Sequence, residues 1–270
     1  MSLKKVLTIA GSDTSGGAGI QADLKTFQEL DVYGVTALTT IVTMDPDNHW
    51  AHGVSPVPLA TIEAQLKTVL DGVGVDALKT GMLGSVDVIE LVAHTLQSRG
   101  LRRIVIDPVM VCKGVDEPLH PESNAAIREL LLPLADVVTP NLFEAAQLAG
   151  RASIQTLEHM KEAAQVIHAL GAKHVLIKGG AKLDEPQAVD LLYDGASFQL
   201  FESEKVSTTW THGAGCTYSA AVTAELAKGG NVQEAVNTAK AFISAAIQNS
   251  FSINSFFGPT RHSAYRKFAQ

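Results

Sequence analysis

Cysteine and charge are both scarce in this sequence. Its 270 residues include two cysteines, Cys112 and Cys216, which form no Cys-x-x-Cys pair, so neither a disulfide scaffold nor a zinc knuckle is predicted. Charged residues make up 18% of the chain, against about 25% in typical proteins, and the 46% of hydrophobic residues predict a large core instead of disorder. The net charge of −7 has the wrong sign for a surface that binds nucleic acid or anionic membranes.

Long apolar runs and several familiar catalytic signatures are also missing. No stretch approaches the ~20 apolar residues of a membrane helix, and the first apolar run, at residues 6–10, is too short for the core of a signal peptide. The P-loop, nucleophile-elbow and HExxH patterns do not occur, which excludes the classes that depend on them. We therefore expect a cytoplasmic protein with reduced thiols.

Short runs of β-branched residues alternate with amphipathic segments along most of the chain. Several runs are apolar at consecutive positions, as in strands buried on both faces of a parallel sheet. The strands are predicted at 6–10, 35–42, 77–80, 103–107, 136–139 and 174–178, and a hairpin at 188–202. Helices are predicted at 62–70, 86–96, 123–131, 156–170, 216–228 and 232–249. Because the hairpin and the paired terminal helices interrupt the repeat of a TIM barrel, we predict one domain over residues 1–270. Its fold would be α/β, with an open, mostly parallel sheet between two helical layers and an antiparallel edge.

A glycine-rich segment, residues 11–19, directly follows the first predicted strand. Four glycines in nine residues at such a junction are typical of a loop whose backbone approaches a ligand. The spacing Gly17-x-Gly19-x-x-Ala22 matches a dinucleotide fingerprint, but it begins too far from the strand, and the second strand lacks the ribose-binding acid. The NAD interpretation is therefore disfavoured, and a turn that simply needs glycine is the structural alternative.

A second glycine-rich segment, His212-Gly-Ala-Gly-Cys-Thr, opens directly into a predicted helix. The N–H groups at such a helix start form an anion hole, which phosphoryl transfer requires to stabilise charge on the moving group. The thiol of Cys216 would lie at the positive end of this helix. We expect its pKa to fall below the usual value of about 8.5, so that it accepts a proton near neutral pH. A small residue packed at a helix end is the alternative.

Other motifs follow the later strands, and the carboxyl ends of parallel strands meet at one edge of a sheet. Asn141 and Glu144 lie one helical turn apart, which suits either a hydrated Mg²⁺ ion or a simple helix cap. Lys178-Gly-Gly ends the next strand and either approaches a nucleotide or begins a loop. Asp107 ends an earlier strand, and residues 111–121 after it lack periodicity, which predicts a mobile flap.

Five motifs together resemble one family. They are Gly-Ser-Asp-x-Ser-Gly-Gly-Ala-Gly-Ile-Gln-Ala-Asp at 11–23, Lys-Thr-Gly-Met-Leu at 79–83, Asp-Pro-Val-Met at 107–110, Thr-Pro-Asn at 139–141 and Gly-Ala-Gly-Cys at 213–216. From about residue 3 to residue 258 the chain resembles the hydroxymethylpyrimidine/phosphomethylpyrimidine kinases of the ribokinase-like superfamily. The resemblance implies a three-layer α/β/α kinase, usually a homodimer, that uses ATP and Mg²⁺ to phosphorylate a hydroxymethyl group on a small heterocycle.

The same resemblance implies roles for individual residues. Cys216 would be the base, where the wider superfamily usually has aspartate. The anion hole would be formed by Gly213, Ala214 and Gly215. Substrate contacts would come from Gly11, Ser12, Asp23, Met44, His52, Thr80, Met82 and Val109. Nucleotide contacts would come from Thr139, Asn141, Lys178, Gly179, Gly180, Gly213 and Lys240, and metal ligands from Glu144 and Asp107. The alternatives are ordinary core for the apolar residues, a first-turn acid for Asp23 and a solvated surface lysine for Lys240.

Two residues distinguish branches of this family. Pyrimidine kinases typically carry glutamine or glutamate where this chain has Met44, whose thioether cannot make paired hydrogen bonds to an aminopyrimidine. Cys112 resembles the flap cysteine of the dual-cysteine pyridoxal kinases, a catalytic thiol that adds to the pyridoxal aldehyde. We therefore predict phosphorylation of pyridoxal, and also of pyridoxine and pyridoxamine, at the 5′-hydroxymethyl group. The alternatives are a pyrimidine kinase of thiamin biosynthesis, an enzyme with both activities and a non-catalytic vitamin-binding sensor.

Overall fold

A computed structural model of the chain describes residues 3–110 and 121–268. Within that part of the chain, nine strands form one sheet in the order β3-β2-β1-β4-β5-β6-β7-β8-β9. The strands are β1 (Lys5–Asp13), β2 (Tyr33–Asp45), β3 (Ala51–Pro56), β4 (Ala77–Thr80), β5 (Ile104–Ile106), β6 (Val137–Val138), β7 (Val175–Gly180), β8 (Ala188–Tyr193) and β9 (Phe198–Ser203). The pairs from β2 through β1, β4, β5 and β6 to β7 are parallel, while β2–β3, β7–β8 and β8–β9 are antiparallel.

Helices cover both faces of this sheet. The described helices are α1 (Gly19–Glu29), α2 (Leu59–Lys67), α3 (Val86–Arg99), α4 (Pro121–Ala126), α5 (Leu142–Ala149), α6 (Leu157–Ala169), α7 (Ala214–Lys228), α8 (Val232–Gln248) and α9 (Ala264–Phe268). Turns of π-helix extend α2 through Thr68–Val73 and α4 through Ile127–Leu131. Across residues 3–110 and 121–268, no helix has the length and apolarity needed to cross a membrane.

Two hydrophobic cores lie on opposite faces of the sheet because the central strands are apolar at consecutive positions. In β1, Leu7 and Ile9 belong to the core formed with α2, α3, α5 and α6, whereas Val6 belongs to the core formed with α1, α7 and α8. All three side chains are fully buried, and each such burial contributes roughly 1.5–3 kcal/mol. The result is the predicted α/β/α sandwich around an open sheet, so the TIM barrel is excluded.

The two edges of the sheet differ in how well they were predicted. The antiparallel edge predicted at 188–202 is confirmed as the β8–β9 hairpin. At the opposite edge, β2 was predicted at 35–42, but β3 and its pairing with β2 were not, because the sequence of β3, Ala-His-Gly-Val-Ser-Pro, shows no clear strand pattern. Through this pairing β2 continues to Asp45, and Met44 becomes the cross-strand neighbour of His52.

Candidate active site

The carboxyl ends of β5, β6 and β7 bring three predicted site residues into contact. Lys178 donates from Nζ to Oδ1 of Asp107 at 2.8 Å, and the hydroxyl of Thr139 donates to the same oxygen at 3.2 Å. The hydroxyl of Ser219, in α7, donates to Oδ2 of Asp107 at 3.0 Å. Asp107 therefore anchors Lys178 and ties the sheet edge to α7. Among the described residues, Oδ2 accepts a single hydrogen bond and keeps a lone pair with which it could bind a metal, as the resemblance implies.

Glu144 lies beside this pair at the start of α5. Its carboxylate accepts a hydrogen bond from the backbone N–H of Asn141 at 2.8 Å, and Oδ1 of Asn141 accepts one from the N–H of Glu144 at 3.0 Å. This reciprocal capping box confirms the helix-cap interpretation of the motif. Burial raises the pKa of Glu144 to about 7, with Lys178 opposing the shift and Asp107 adding to it. A cation placed nearby would therefore favour the ionised form.

The two glycine-rich segments touch each other at the start of α7. Gly213 caps this helix with φ of +76°, and a Cβ there would lie 1.8 Å from the carbonyl oxygen of Gly17. Only glycine fits such a position. The N–H of Ala214 donates to the carbonyl of Thr211 at 3.1 Å, so this amide is occupied and the predicted anion hole loses one donor. The next amide belongs to Gly215, whose Cβ position lies 3.4 Å from Nζ of Lys178.

Cys216 is half-buried in the first turn of α7. Burial of its sulfur raises the pKa of the thiol to about 12, and the negative charges of Asp23 and Asp107 add to this rise. Lys79 and the backbone N–H of Gly19, which donates a hydrogen bond to Cys216, act in the opposite direction. The expected low pKa is therefore wrong, because lost hydration and two carboxylates outweigh Lys79 and the Gly19 amide.

Asp23 lies beneath the glycine loop, not at its surface. Its carboxylate forms an ion pair with Lys79, whose Nζ donates to both oxygens at 2.9 and 3.0 Å, and the hydroxyl of Thr8 donates at 2.6 Å. Both charged side chains have 0% exposure, so this geometry offers no direct contact between Asp23 and a substrate. Asp23 is also the fifth residue of α1, beyond the first turn. Burial alone would lower the pKa of Lys79. The negative charges of Asp23 and Asp107 outweigh this effect of burial, so the pKa of Lys79 is raised.

Four of the residues predicted to contact the substrate lie in β1 and in the β2–β3 hairpin. Met44 and His52 lie side by side across this hairpin. Gly11 packs against β2, since a Cβ there would lie 2.5 Å from Oγ1 of Thr40. The hydroxyl of Ser12 accepts a hydrogen bond from the amide of Gln21 at 2.7 Å.

The remaining predicted substrate residues follow β4 and β5. Thr80 and Val109 line a cavity of about 10 Å³ together with Asp107, enough for about one water molecule. The hydroxyl of Thr80 is buried and has no hydrogen-bond partner among the described residues. The carbonyl oxygen of Met82 accepts from the hydroxyl of Thr39 at 2.7 Å, which ties this loop to β2. Cys112 and the predicted flap up to residue 120 lie outside the described residues.

Several of the residues predicted to bind the nucleotide have structural roles. Gly179 and Gly180 form a bulge in β7, and a Cβ at Gly179 would lie 2.4 Å from the carbonyl oxygen of Val189. Lys240 is buried and donates to Oδ2 of Asp190 at 2.7 Å, so its interpretation as a solvated surface lysine is wrong. Oδ1 of Asp190 accepts from the N–H of Gly180 at 3.0 Å. Lys240 and the bulge are therefore connected through one carboxylate.

Sequence reasoning assigned no role to three side chains that organise the site: Asp13, Lys79 and His212. Oδ2 of Asp13 and Nε2 of His212 lie 2.7 Å apart, although the two residues are almost 200 positions apart in the chain. Each lies in or next to a glycine-containing motif. A charged or imidazole side chain inside a glycine-containing motif was the signal in the sequence that could have identified these residues as part of the site.

Comparison with known proteins extends these observations to the whole chain. The family model described as phosphomethylpyrimidine kinase matches residues 13–261. A pyridoxine kinase from Bacillus subtilis (strain 168) is 62% identical over 266 residues, which cover 98% of each chain. A hydroxymethylpyrimidine/phosphomethylpyrimidine kinase from the same organism is 43% identical over 267 residues, 99% of this chain and 97% of the relative.

The fold agrees with these similarities. The crystal structure of an ADP complex of Bacillus subtilis pyridoxal kinase matches with a TM-score of 0.96 and 62% identity, covering 98% of this chain and 99% of that one. The family resemblance inferred from the five motifs is thus confirmed over nearly the entire length. Because the family model matches residues 13–261 and the relatives match almost end to end, the chain belongs to the phosphomethylpyrimidine kinase family.

Proposed function

We propose that this protein is a vitamin B6 kinase, which transfers the terminal phosphoryl group of ATP to the 5′-hydroxymethyl group of pyridoxal, pyridoxine and pyridoxamine. One observation carries the proposal: the chain is 62% identical to the pyridoxine kinase of Bacillus subtilis but 43% identical to a pyrimidine kinase of the same organism. Both similarities extend over almost the whole chain, so the difference does not come from a missing segment. Met44 favours the same choice, because a thioether cannot pair with an aminopyrimidine.

ATP as the phosphoryl donor is supported by the ADP complex of the similar pyridoxal kinase. In this chain Lys178 projects to the first turn of α7, where Gly215 and Cys216 have backbone N–H groups without intrahelical acceptors. A lysine and fixed amides aimed at one point stabilise the negative charge of a phosphoryl group during transfer. We assign the terminal phosphate to this point.

Mg²⁺ fits the side chains next to it. Asp107 and Glu144 supply the hard oxygen ligands that Mg²⁺ prefers, and the pKa of about 7 for Glu144 marks a site at which added positive charge is favoured. In residues 3–110 and 121–268, no cluster of three or more His, Cys, Asp or Glu side chains is suited to hold a metal, so phosphate oxygens and water would complete the coordination. When bound, the ion would neutralise charge on the transferred group.

Cys216 would take the proton of the substrate alcohol late in the transfer. Phosphoryl transfer has a loose transition state, so the attacking oxygen needs no strong base before bond formation begins. A thiol with a pKa of about 12 still carries its own proton and cannot accept another, so Cys216 would first have to release that proton to water and then act as the thiolate. Lys79 and the Gly19 amide favour the thiolate, and positive charge brought to Asp107 would favour it further.

Cys112 would hold pyridoxal during the reaction. Its sulfur would form a bond to the aldehyde carbon while the thiol proton moves to the aldehyde oxygen, which becomes a hydroxyl group. This reversible hemithioacetal involves no redox change and fixes the orientation of the 5′-hydroxymethyl group. Pyridoxine lacks an aldehyde and would be held by non-covalent contacts alone.

Steady-state kinetics with ATP and Mg²⁺ test the substrate assignment. We expect kcat/KM for pyridoxal to exceed that for hydroxymethylpyrimidine at least tenfold, or about 1.4 kcal/mol. Met44→Gln is the matched variant. Its side-chain amide can form paired hydrogen bonds to an aminopyrimidine, so the ratio of kcat/KM for pyridoxal to kcat/KM for hydroxymethylpyrimidine should decrease. A preference for the pyrimidine, or equal values, would overturn the assignment. Absence of phosphorylated product with every vitamer and pyrimidine would instead favour the sensor alternative.

We further propose that the protein acts as a homodimer in the cytoplasm and folds as one domain over residues 1–270. The family resemblance supports the dimer, and a sequence with two cysteines and no Cys-x-x-Cys pair suits a reducing compartment. Sedimentation velocity should give twice the mass of 28.6 kDa. A monomer at micromolar concentration would contradict the dimer.

A further inference from the structure

The carboxylate of Asp13 is the meeting point of the two glycine-rich segments. Asp13 ends β1, and its side chain accepts hydrogen bonds from the N–H and the hydroxyl of Ser15 at 2.8 and 2.7 Å and from the N–H of Ala18 at 2.7 Å. Its fourth partner is Nε2 of His212 at 2.7 Å. Burial works against ionisation, but these hydrogen bonds outweigh it and lower the pKa of Asp13 to about 2. Because an ionised carboxylate only accepts, Nε2 of His212 must carry the proton and donate it.

His212 is fixed on every side. Its backbone N–H donates to the carbonyl of Gly258 at 3.2 Å, and its own carbonyl accepts from Thr260 at 3.3 Å. Phe257 packs edge-on against the imidazole, with 5.0 Å between ring centroids. A Cβ at Gly17 would lie 2.5 Å from Cδ2 of the imidazole, so this ring rests directly on the glycine loop.

The residues that follow His212 are the ones that would perform the chemistry. Gly213 contacts the backbone of Gly17 so closely that no Cβ fits between them. Three residues later, Cys216 accepts a hydrogen bond from the N–H of Gly19, at the other end of the same loop. Together with the imidazole of His212 on Gly17, these contacts join the loop to the helix start, and the His212–Asp13 hydrogen bond is the one made by side chains alone.

We propose that His212 and Asp13 are positioning residues, whose hydrogen bond holds the first turn of α7 against the glycine loop and thereby places Cys216 and its neighbouring amides for phosphoryl transfer. Neither side chain is among the groups to which we assign contact with the phosphoryl group or the substrate alcohol. The part of this proposal that concerns catalysis rests on the proposed function, whereas the mechanical part does not. A further contact reaches the substrate side, since Trp50 of the β2–β3 connection stacks on Phe257 at 5.8 Å between centroids.

Hydrogen exchange tests the mechanical part without any assay of activity. In His212→Leu we expect amides in segments 11–19 and 213–217 to exchange about tenfold faster or more, while the 188–203 hairpin keeps its wild-type rate. His212→Gln places an amide N–H near the position of Nε2 and should restore protection. Unchanged exchange in both segments of His212→Leu would overturn the proposal. If that variant does not fold, Asp13→Asn, which preserves shape but removes an acceptor, takes its place.

Kinetics test the catalytic part. We expect His212→Leu to lower kcat for pyridoxal about tenfold or more while KM changes less than about threefold, and His212→Gln to recover most of the loss. His262→Leu is the matched control: it removes another buried imidazole, which is hydrogen-bonded to Thr217 of α7 at 3.0 Å and not to Asp13. The positioning claim would be overturned if His262→Leu lost as much kcat as His212→Leu, or if His212→Gln recovered none of the loss. The His212–Asp13 hydrogen bond would then have a structural role alone. If wild type phosphorylates another alcohol and not pyridoxal, the proposed function fails, and the same kcat ratio measured on that alcohol still decides the positioning claim.

Discussion

Replacing Lys79 by methionine would leave one of the most buried carboxylates of the protein without its counter-ion. Asp23 and Lys79 both have 0% exposure, and after the substitution only the hydroxyl of Thr8 would still donate to the carboxylate. Removing one partner of a buried ion pair costs about 3–5 kcal/mol. In a chain of this size each kcal/mol lowers the melting temperature by about 2–4 °C, so Lys79→Met should melt roughly 6–20 °C below wild type.

The pH dependence of this loss has a definite sign. Burial raises the pKa of Asp23, and Lys79 is the largest influence against that rise. Without Lys79 the folded-state pKa moves further above the unfolded value of about 3.9. A carboxyl with a raised folded-state pKa contributes stability that is complete below the unfolded pKa and is lost as the pH rises, at about 1.4 kcal/mol per pH unit. Lys79→Met should therefore regain part of its melting temperature, relative to wild type, between pH 7 and pH 5.

A triple variant separates the missing charge from the missing volume. Thr8→Val, Asp23→Leu and Lys79→Met together replace the polar cluster by apolar side chains of similar size, and such exchanges are often neutral or stabilising. Scanning calorimetry at pH 5 and pH 7 should place the triple variant well above Lys79→Met and without its pH dependence. A single variant that melts within about 2 °C of wild type, or a triple variant that melts as low as the single one, would refute the reasoning.

Three further predictions concern activity. Cys216→Ala should lower kcat at least about 100-fold and leave ADP affinity within about threefold by titration calorimetry; retained turnover would assign the proton to another group. Cys112→Ala should reduce kcat/KM for pyridoxal more than for pyridoxine, and equal losses would remove the hemithioacetal. Because the pKa of Glu144 is about 7, wild-type kcat/KM should fall as the pH drops below that value and the carboxylate that binds Mg²⁺ is protonated. Glu144→Gln should have low activity, a kcat/KM that does not change with pH in this range, and a requirement for a higher Mg²⁺ concentration than wild type. If kcat/KM of the variant fell with pH as steeply as that of wild type, the assignment would be contradicted.

The parts of the fold that the sequence predicted well are those in which local pattern and burial agree. Strand β4 has the predicted bounds, 77–80, and β8 begins at residue 188, where the predicted hairpin begins; every position of both strands is buried. The convergence of Asp107, Thr139 and Lys178 was also predictable, since the carboxyl ends of parallel strands share one edge. For β3, neither alternation nor β-branched residues gave a signal, and its pairing with β2 determines the strand.

The partners of individual side chains could not be predicted from the sequence, because they depend on the tertiary fold. Lys240 reads as a surface residue in an amphipathic helix, and only the tertiary fold brings Asp190 to its ammonium group. Likewise, Asp23 lies next to the glycine loop in sequence, but the position of Lys79 on a neighbouring strand turns its carboxylate into the interior. A glycine can be misinterpreted for a similar reason. The sequence suggested that Gly179 contacts a nucleotide, but in the structure it allows the backbone of β8 to approach closely.

The pKa of Cys216 shows most clearly what a motif cannot specify. The helix start, visible in the sequence, favours a thiolate, but the sulfur also interacts with two lysines, Lys79 and Lys178, and with two aspartates, Asp23 and Asp107. Burial is the largest influence and the two aspartates act in the same direction, so the thiol stays protonated despite Lys79. A protonated thiol is a poor nucleophile and resists oxidation. Because ligand charge would alter this balance, phosphate alone would raise the pKa further and a divalent cation would lower it, so proton transfer at Cys216 is coupled to metal binding at the neighbouring carboxylates.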